Sequence, residues 1–372
     1  MMGLFVQRQA EALVPYCDVA VVYVHPDPRC PNKMEAEFSE ESGVRVLRIY
    51  LKIREGNPGV VNKVRNIWRY YRAYMKALRS IRAMQPDLIH AHVLTRAGVV
   101  AQRASTEFGI PFVVSEHWSR YFPENFGYTG MLRRQFTQYL IGQAQALIPV
   151  SEKLKLALVD CGLSHHRMPV IANVVNGELF HPIPERSSDH SCKVVHISCF
   201  DDKSKNITGF LHSLKTVSEE MTGFHCFMVG EGPDLDDMKS LAQYLRISSS
   251  VITFTGLLEG EVLAGMLQNA DFSVVSSRYE TFGTVIIESL YCGTPVLSTR
   301  VGIAEQVVTD DNGLLIEPGN DQAMVNGLKH MINHCGNFNR ASISRQIRGR
   351  FESAEIGRQL WSVYREILDQ KV

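Results

Sequence analysis

Short β-branched runs alternate with amphipathic helical stretches along the whole chain. In the first half, the runs at 18–24, 44–49, 87–91, 111–115, 146–149 and 168–172 read as strands. In the second half, those at 193–198, 224–229, 251–255, 271–276, 295–299 and 313–316 do the same. Most are apolar throughout and separated by helical periodicity, which predicts an α/β fold of parallel sheets covered on both faces. What repeats is the βα unit, not a fixed sequence period. A length of 372 residues favours two domains. The stretch 178–191 carries Pro182, Pro184 and a run of Ser, Asp and His, and reads as an exposed linker. The expected division is a first domain over 1–178 and a second over 192–350. A last helical pattern at 353–369 has no following strand to cross over to, which leaves the tail 353–372 free to pack back on the first domain.

Composition narrows the class. With 45% hydrophobic and 21% charged residues the chain resembles an ordinary soluble protein. The longest obvious apolar run, Val19 to Val24, is far short of the roughly 18 residues of a membrane span. No secretory leader is visible, so a cytoplasmic protein is expected. Eight cysteines are scattered singly with no CxxC spacing, so neither a disulfide framework nor a zinc site is predicted. The net charge of zero conceals an asymmetry: residues 1–180 hold 22 Lys+Arg against 15 Asp+Glu, and residues 181–372 hold 17 against 24. The halves therefore carry +7 and −7 and are expected to meet different partners.

The positive excess is concentrated. Residues 44–86 hold eleven Lys/Arg and one acid, Glu55. Within them Val61, Val64, Trp68, Tyr71, Met75 and Leu78 form an apolar stripe at helical spacing. Arg65, Arg69, Arg72, Lys76 and Arg79 form a basic stripe one position along and are expected to be exposed beside the cleft. A basic helix bearing Trp and Tyr reads as an element facing an anionic membrane surface, peripheral on its cytoplasmic side. No nucleic-acid recognition motif accompanies it.

The segment carrying most chemistry is RYETFGTVIIES, residues 278–289. A strand leads into it and a helix follows from about Thr284, ended by Gly293 and Pro295. The loop thus delivers Gly283 and Thr284 at a helix N-terminus, where free N–H groups and the dipole favour a diphosphate. Glu280 precedes the helix at the carboxyl edge of the sheet, where open α/β folds bind ligands. Glu288 lies four residues after Thr284 on the same helix face, in company too apolar for a surface helix. Two acceptor-only carboxylates flanking such a turn suit sugar and ribose hydroxyls. No Asp-x-Asp stands at a strand end, and no metal is expected.

Glu-x7-Glu after a strand, with Phe-Gly between, resembles the signature of the family 4 retaining glycosyltransferases, of GT-B fold. The resemblance continues in HISCFDDKSKNITGFL (196–211), MVGEGPDLDDMKSLA (228–242), YCGTPVLSTRVGIAEQV (291–307) and NGLLIEPGN (312–320). In the first half, PDLIHAH (86–92), VVSEHWSRY (113–121), LIPVSEKLKLAL (147–158) and VIANVVNGELF (170–180) match in order. It implies two Rossmann-like domains facing each other across a cleft. It also implies metal-independent, retaining transfer of a hexose from a nucleotide diphosphate sugar to a glycan or lipid-linked acceptor. Glu280 would contact donor-sugar hydroxyls, and the backbone of Phe282, Gly283 and Thr284 the sugar and diphosphate. Glu288 would bind the ribose, Lys205 the diphosphate, and His117 would stand near the reacting centre. The family's usual arginine six positions before Lys205 is here Cys199, with Lys203 as a candidate replacement, and its paired glycines are reduced to Gly302. His90 and His92 flank Ala91 and are read as lying on alternate faces of a strand end, so that at most one faces the cleft.

Two rival readings share this fold: a sugar-nucleotide 2-epimerase, and a homologue that binds donor without turning it over. A further expectation concerns the helix at Gly3 to Leu13, which the family would precede with a central strand and a glycine turn. The chain is therefore expected to be a shortened form, with weak transfer until upstream residues are restored. Its first sheet should show either a gap between the runs at 18–24 and 87–91 or their direct pairing.

Overall fold

The computed structural model describes residues 3–53, 60–183 and 191–371. The expected linker falls partly outside them, since 184–190 are not described. The first domain opens with α1 (Leu4–Leu13), then β1 (Ala20–Asp27), β2 (Met34–Glu41), β3 (Val44–Lys52) and α2 (Val60–Ile81). It continues with β4 (Ile89–His92), α3 (Gly98–Phe108), β5 (Phe112–Glu116), α4 (Met131–Gln143), β6 (Leu147–Pro149) and α5 (Glu152–Asp160). The second domain begins with β7 (Cys192–Ile197), α6 (Asp202–Lys205), α7 (Ile207–Glu220), β8 (Phe224–Val229), α8 (Leu235–Tyr244) and β9 (Ile252–Gly256). After these come α9 (Gly260–Asn269), β10 (Phe272–Val275), α10 (Thr284–Tyr291), β11 (Val296–Thr299), α11 (Ala304–Val307) and β12 (Gly313–Ile316). The chain closes with α12 (Asp321–His334), α13 (Arg340–Ile347) and α14 (Ser353–Leu368). None of the described helices is long and apolar enough to cross a membrane.

The second domain is one parallel sheet of order β12-β11-β10-β7-β8-β9. That order reverses direction between β7 and β10, which creates a crevice at their carboxyl ends. Strands buried on both faces need helices on both, and α7 and α12 pack together over one side while α10 and α13 pack together.

The first domain answers one expectation and departs from two others. Among the described residues its strands form two separate three-stranded sheets, β1-β3-β2 and β4-β5-β6, with no strand between β1 and β4. Direct pairing of the runs at 18–24 and 87–91 is thus absent among the described residues. Secondly, β2 is an antiparallel hairpin partner of β3, so the first domain is not purely parallel. Its sequence, MEAEFSEE, is too acidic to read as a strand, but Glu37 and Glu40 stand opposite Arg48 and Arg45. Arg48 closes a bidentate pair with Glu41 at 2.6 and 2.7 Å. Cross-strand charge pairing of this kind offsets poor strand propensity. Thirdly, 168–172 is not a strand. The segment runs beside β6 and bonds it at both ends, Leu147 N–H to Arg167 and Ile171 N–H to Pro149, but Pro169 between them has no N–H to give.

The tail crosses back: α14 packs against α1, burying Ala12, Leu13, Ile356, Leu360 and Tyr364 with Val113 and Ile148. At the crossing a Cβ on Gly357 would stand 2.1 Å from the Ala12 carbonyl oxygen, so only glycine allows this approach. Gly265 in α9 has nothing within 4 Å of its Cβ position. The same substitution should therefore act with opposite sign at the two sites in a denaturant titration. Gly357→Ala should cost about 1–3 kcal/mol by forcing the helices apart. Gly265→Ala should add up to about 1 kcal/mol by helix propensity.

Candidate active site

The loop from β10 to α10 is held by β7's own loop, because the two strands are neighbours. Ser276 Oγ donates to the Lys205 carbonyl at 2.7 Å, and Arg278 N–H to the Ser204 carbonyl at 2.8 Å. This places Lys205 Nζ against Glu280 Oε1, which also accepts from Ser277 Oγ at 2.8 Å. Burial works against the lysine's charge and is the largest single influence, but Glu280, with the neighbouring Cys199 and Asp201, together outweigh it and raise the Lys205 pKa above the ordinary value. Phe282 is buried edge-on to Phe351, and its carbonyl accepts from Ile303 N–H at 2.8 Å. Gly302 packs on that carbonyl: a Cβ there would lie 2.3 Å from the oxygen. This explains why that one glycine is kept while its neighbour is the buried Val301.

Gly283, in the left-handed conformation, precedes α10, and Thr284 opens the helix. Ile286, Ile287, Leu290 and Tyr291 root α10 in the core and carry Glu288 into burial with them. Burial pushes the Glu288 carboxyl up to about 7, against the partial relief of Arg8. Arg8, on α1 of the first domain, places Nη1 3.7 Å from Glu288 Oε1 and donates to the Val174 carbonyl at 3.4 Å.

Opposite stands a histidine cluster. His117 Nε2 meets His92 Nδ1 at 3.1 Å, and the Phe5 ring of α1 covers His117 with centroids 4.2 Å apart. His90 bonds Ser115 Oγ at 2.8 Å and the hydroxyl of Tyr364. Burial holds His92 down to about 4 and His117 well below the ordinary histidine value, so the His117 imidazole is neutral at physiological pH. Its Nδ1 is buried without a partner. The turn bearing His117 is fixed by the buried Glu116, which accepts from the N–H groups of Leu94, His117 and Trp118 at 2.8–2.9 Å and from the Tyr121 hydroxyl at 3.1 Å.

The two walls meet through Ser151, which caps α5 and donates to the Thr281 carbonyl, and through Lys153, which bonds the Arg300 carbonyl and Glu305. The Phe122 and Tyr279 rings stack across the cleft at 6.2 Å. Two Rossmann-like domains thus close over a polar cleft with an amide-lined helix terminus on one side and a neutral imidazole on the other.

Residues 2–174 match the family model described as "Glycosyl transferase 4-like domain", and residues 187–345 the model described as "Glycosyl transferases group 1". The chain belongs to the family 4 glycosyltransferases. It is 26% identical to an uncharacterized glycosyltransferase of Methanocaldococcus jannaschii over 74% of this chain and 73% of that one. Against the alpha-monoglucosyldiacylglycerol synthase of Streptococcus pneumoniae the identity is 27%, over 64% of this chain and 58% of the relative. Among solved structures, sucrose-phosphate synthase from Thermosynechococcus elongatus superposes with TM-score 0.80 at 20% identity, over 100% of this chain and 94% of that one. Anabaena HepE in complex with UDP and glucose superposes with TM-score 0.74 at 19% identity, over 98% and 97%. The fold shared with these is GT-B. These likenesses lend the epimerase reading no support.

In the transferase, Lys205 meets Glu280 beside the turn that leads through Gly283 and Thr284 into the helix carrying Glu288, and His117 stands on the other domain. Several sequence expectations need correction. Lys203 does not turn toward Lys205; its ammonium bonds the Asn125 carbonyl of the first domain at 2.9 Å. His90 and His92 share a face, as residues two apart on a strand must, and their rings stack at 4.4 Å. On α2, Arg65, Arg72, Lys76 and Arg79 are exposed, Arg79 in a pair with Glu107, but Arg69 is partly buried and bonds the Lys33 carbonyl at 3.2 Å. The apolar stripe packs only from Tyr71 onward; Val64, Ile67 and Trp68 face solvent, and the side chain of Val61 lies outside the description. Arg8 and Tyr364 escaped notice because their partners lie far away in sequence, and Glu116 because most of its partners are backbone N–H groups that leave no mark on residue type.

Glu288 yields a sign-defined test. Its folded pKa of about 7 lies above the unfolded carboxyl value, so its contribution is fully present at low pH and lost as pH rises through 7. Glu288→Gln should therefore raise Tm at pH 8 by about 3 °C or more, leave it nearly unchanged at pH 4.5, and weaken nucleotide binding. Thermal melts at both pH values check this.

Proposed function

We propose that this transferase moves a hexose from a nucleotide diphosphate sugar to a glycan or lipid-linked acceptor, with retention of anomeric configuration, at the cytoplasmic face of a membrane. The observation carrying this reading is the convergence of Lys205, Glu280 and Glu288 on the N-terminus of α10, opposite the unpartnered Nδ1 of His117. The HepE structures in complex with UDP-glucose and with UDP and glucose support the donor class, and the diacylglycerol-type synthase supports a lipid acceptor.

The residues divide the work as follows. The free N–H groups at Thr284 and beyond, with Lys205, receive the diphosphate and stabilise the charge that grows on it as the glycosidic bond breaks. No metal is needed in this scheme. Glu280 exchanges its bonds from Lys205 and Ser277 for hydroxyls of the donor sugar. Glu288 accepts from the ribose hydroxyls, which gives its costly carboxylate proper donors. Because Cys199 replaces the second-domain arginine and Lys203 points elsewhere, the second cation comes across the cleft from Arg8. His117, neutral, accepts or donates one bond at Nδ1 and orients the acceptor hydroxyl.

Steady-state kinetics with a donor identified by thermal stabilisation test the scheme. Glu280→Ala should lower kcat by about 100-fold or more while the fold persists. Arg8→Ala should raise the donor KM about tenfold with a smaller change in kcat. Chelation with EDTA should leave the rate unchanged. Normal turnover of Glu280→Ala would remove the assignment.

A further inference from the structure

The strongest unexplained surface lies on α4 and the loop before it. Phe126, Met131 and Leu132 are 82%, 73% and 80% exposed, and Phe136 and Tyr139 are also exposed. Leu132, Phe136 and Tyr139 recur at i, i+4 and i+7, so they form one outward stripe, while Thr137, Leu140 and Ile141 face the core. Five large apolar side chains gathered within 14 residues exceed the isolated exposed hydrophobics of an ordinary surface. The exposed Arg133 and Arg134 stand in the same turn, and no Asp or Glu occurs between Glu124 and Glu152.

Position gives this patch meaning. α2 packs along α3 and α3 along α4, so the three make one layer. The first described turns of α2 expose Val64, Ile67 and Trp68 beside Arg65, Arg72 and Lys76. β5, whose carboxyl end leads to His117, also leads into the loop before α4, and β3 leads toward α2. The loop before α4 touches the second domain through Lys203 and Asn125. Apolar groups with cations around them therefore stand on α2 and α4 alike, and the loop before α4 lies against the second domain.

We infer that α4 and the Phe126 loop insert into an anionic bilayer, and that together with α2 they hold the cleft mouth against the lipid surface. Two features choose this occupant. A second copy set face to face would bring Arg133, Arg134, Arg65, Arg72 and Lys76 against their own images, whereas an anionic surface complements them. The apolar side chains also project from a helix start and a loop tip, a convex shape that enters acyl chains readily and offers no groove to a folded partner. The inference rests on the membrane-facing reading of α2, but assigns insertion to α4 and electrostatic attraction to α2.

Sedimentation of the full chain with phosphatidylcholine vesicles, with and without one-quarter phosphatidylglycerol, tests it. The wild type should bind the anionic vesicles, and a fraction should stay bound as salt rises past about 0.15 M, where charge attraction is screened. Leu132→Ser combined with Phe136→Ser should reduce binding about tenfold or more and abolish the salt-resistant fraction, with Tm and nucleotide affinity unchanged. Arg65→Gln, Arg72→Gln and Lys76→Gln together should remove the salt-sensitive part. Loss of binding in the α2 variant alone would overturn the role of α4 while the α2 reading stands. Loss in the α4 variant alone would keep insertion at α4 and overturn the part of the inference given to α2. Absence of wild-type binding would end both. A wild-type dimer that the α4 variant dissociates would assign the patch to a second copy and overturn the inference.

Discussion

Lys205 and Glu280 face each other where β7 and β10 run side by side, and either charge left alone there would lose hydration without compensation. The surrounding bonds exist to keep the two loops in that position: Ser276 to the Lys205 carbonyl, Arg278 to the carbonyls of Ser204 and Asp202, Ser277 to Glu280. The strand order reverses at this place, so the crevice, the helix terminus of α10 and the paired charges coincide. A ligand bearing phosphates and hydroxyls can take over each half of the pair. Without one, the pair satisfies itself, which keeps a charged site compatible with a folded domain.

The second domain cannot complete the site alone. Its Glu288 is buried at a cost that only Arg8 of α1 relieves among the described ion pairs, and α1 is braced by α14, which returns from the second domain. α14 also supplies Tyr364 to His90, so the tail supports the histidine wall and the arginine at once. The division of the first domain's described strands into two sheets makes this bracing more important.

Much of this was legible in the sequence, for a reason that also explains the failures. In the second domain each strand lies within a residue or two of its apolar run, and α10 begins at Thr284 as the loop chemistry requires. The central strands β10 and β11 are buried on both faces, so there local pattern and tertiary demand agree. β2 escaped because its glutamates are stabilised by arginines on β3, a partnership that propensity does not encode. The run at 168–172 looked like a strand because its composition is apolar, yet Pro169 breaks the ladder. At the site, Glu280, Glu288 and Lys205 could be named from their motif, whereas Arg8 could not, since it meets Glu288 only through the folding of both domains. The α2 arginines were legible as a stripe, but Arg69 turned inward to a carbonyl that no helical wheel contains.

The account depends on Lys205 being the cation that receives the donor diphosphate once Glu280 turns to the sugar. Calorimetric titration of the wild type and Lys205→Met with UDP, GDP and ADP addresses that directly. The nucleotide that the wild type binds should bind the variant about tenfold to a hundredfold more weakly, the loss expected of one charge-assisted contact. Equal affinity in the two proteins, or no binding of any of the three by the wild type, would contradict it.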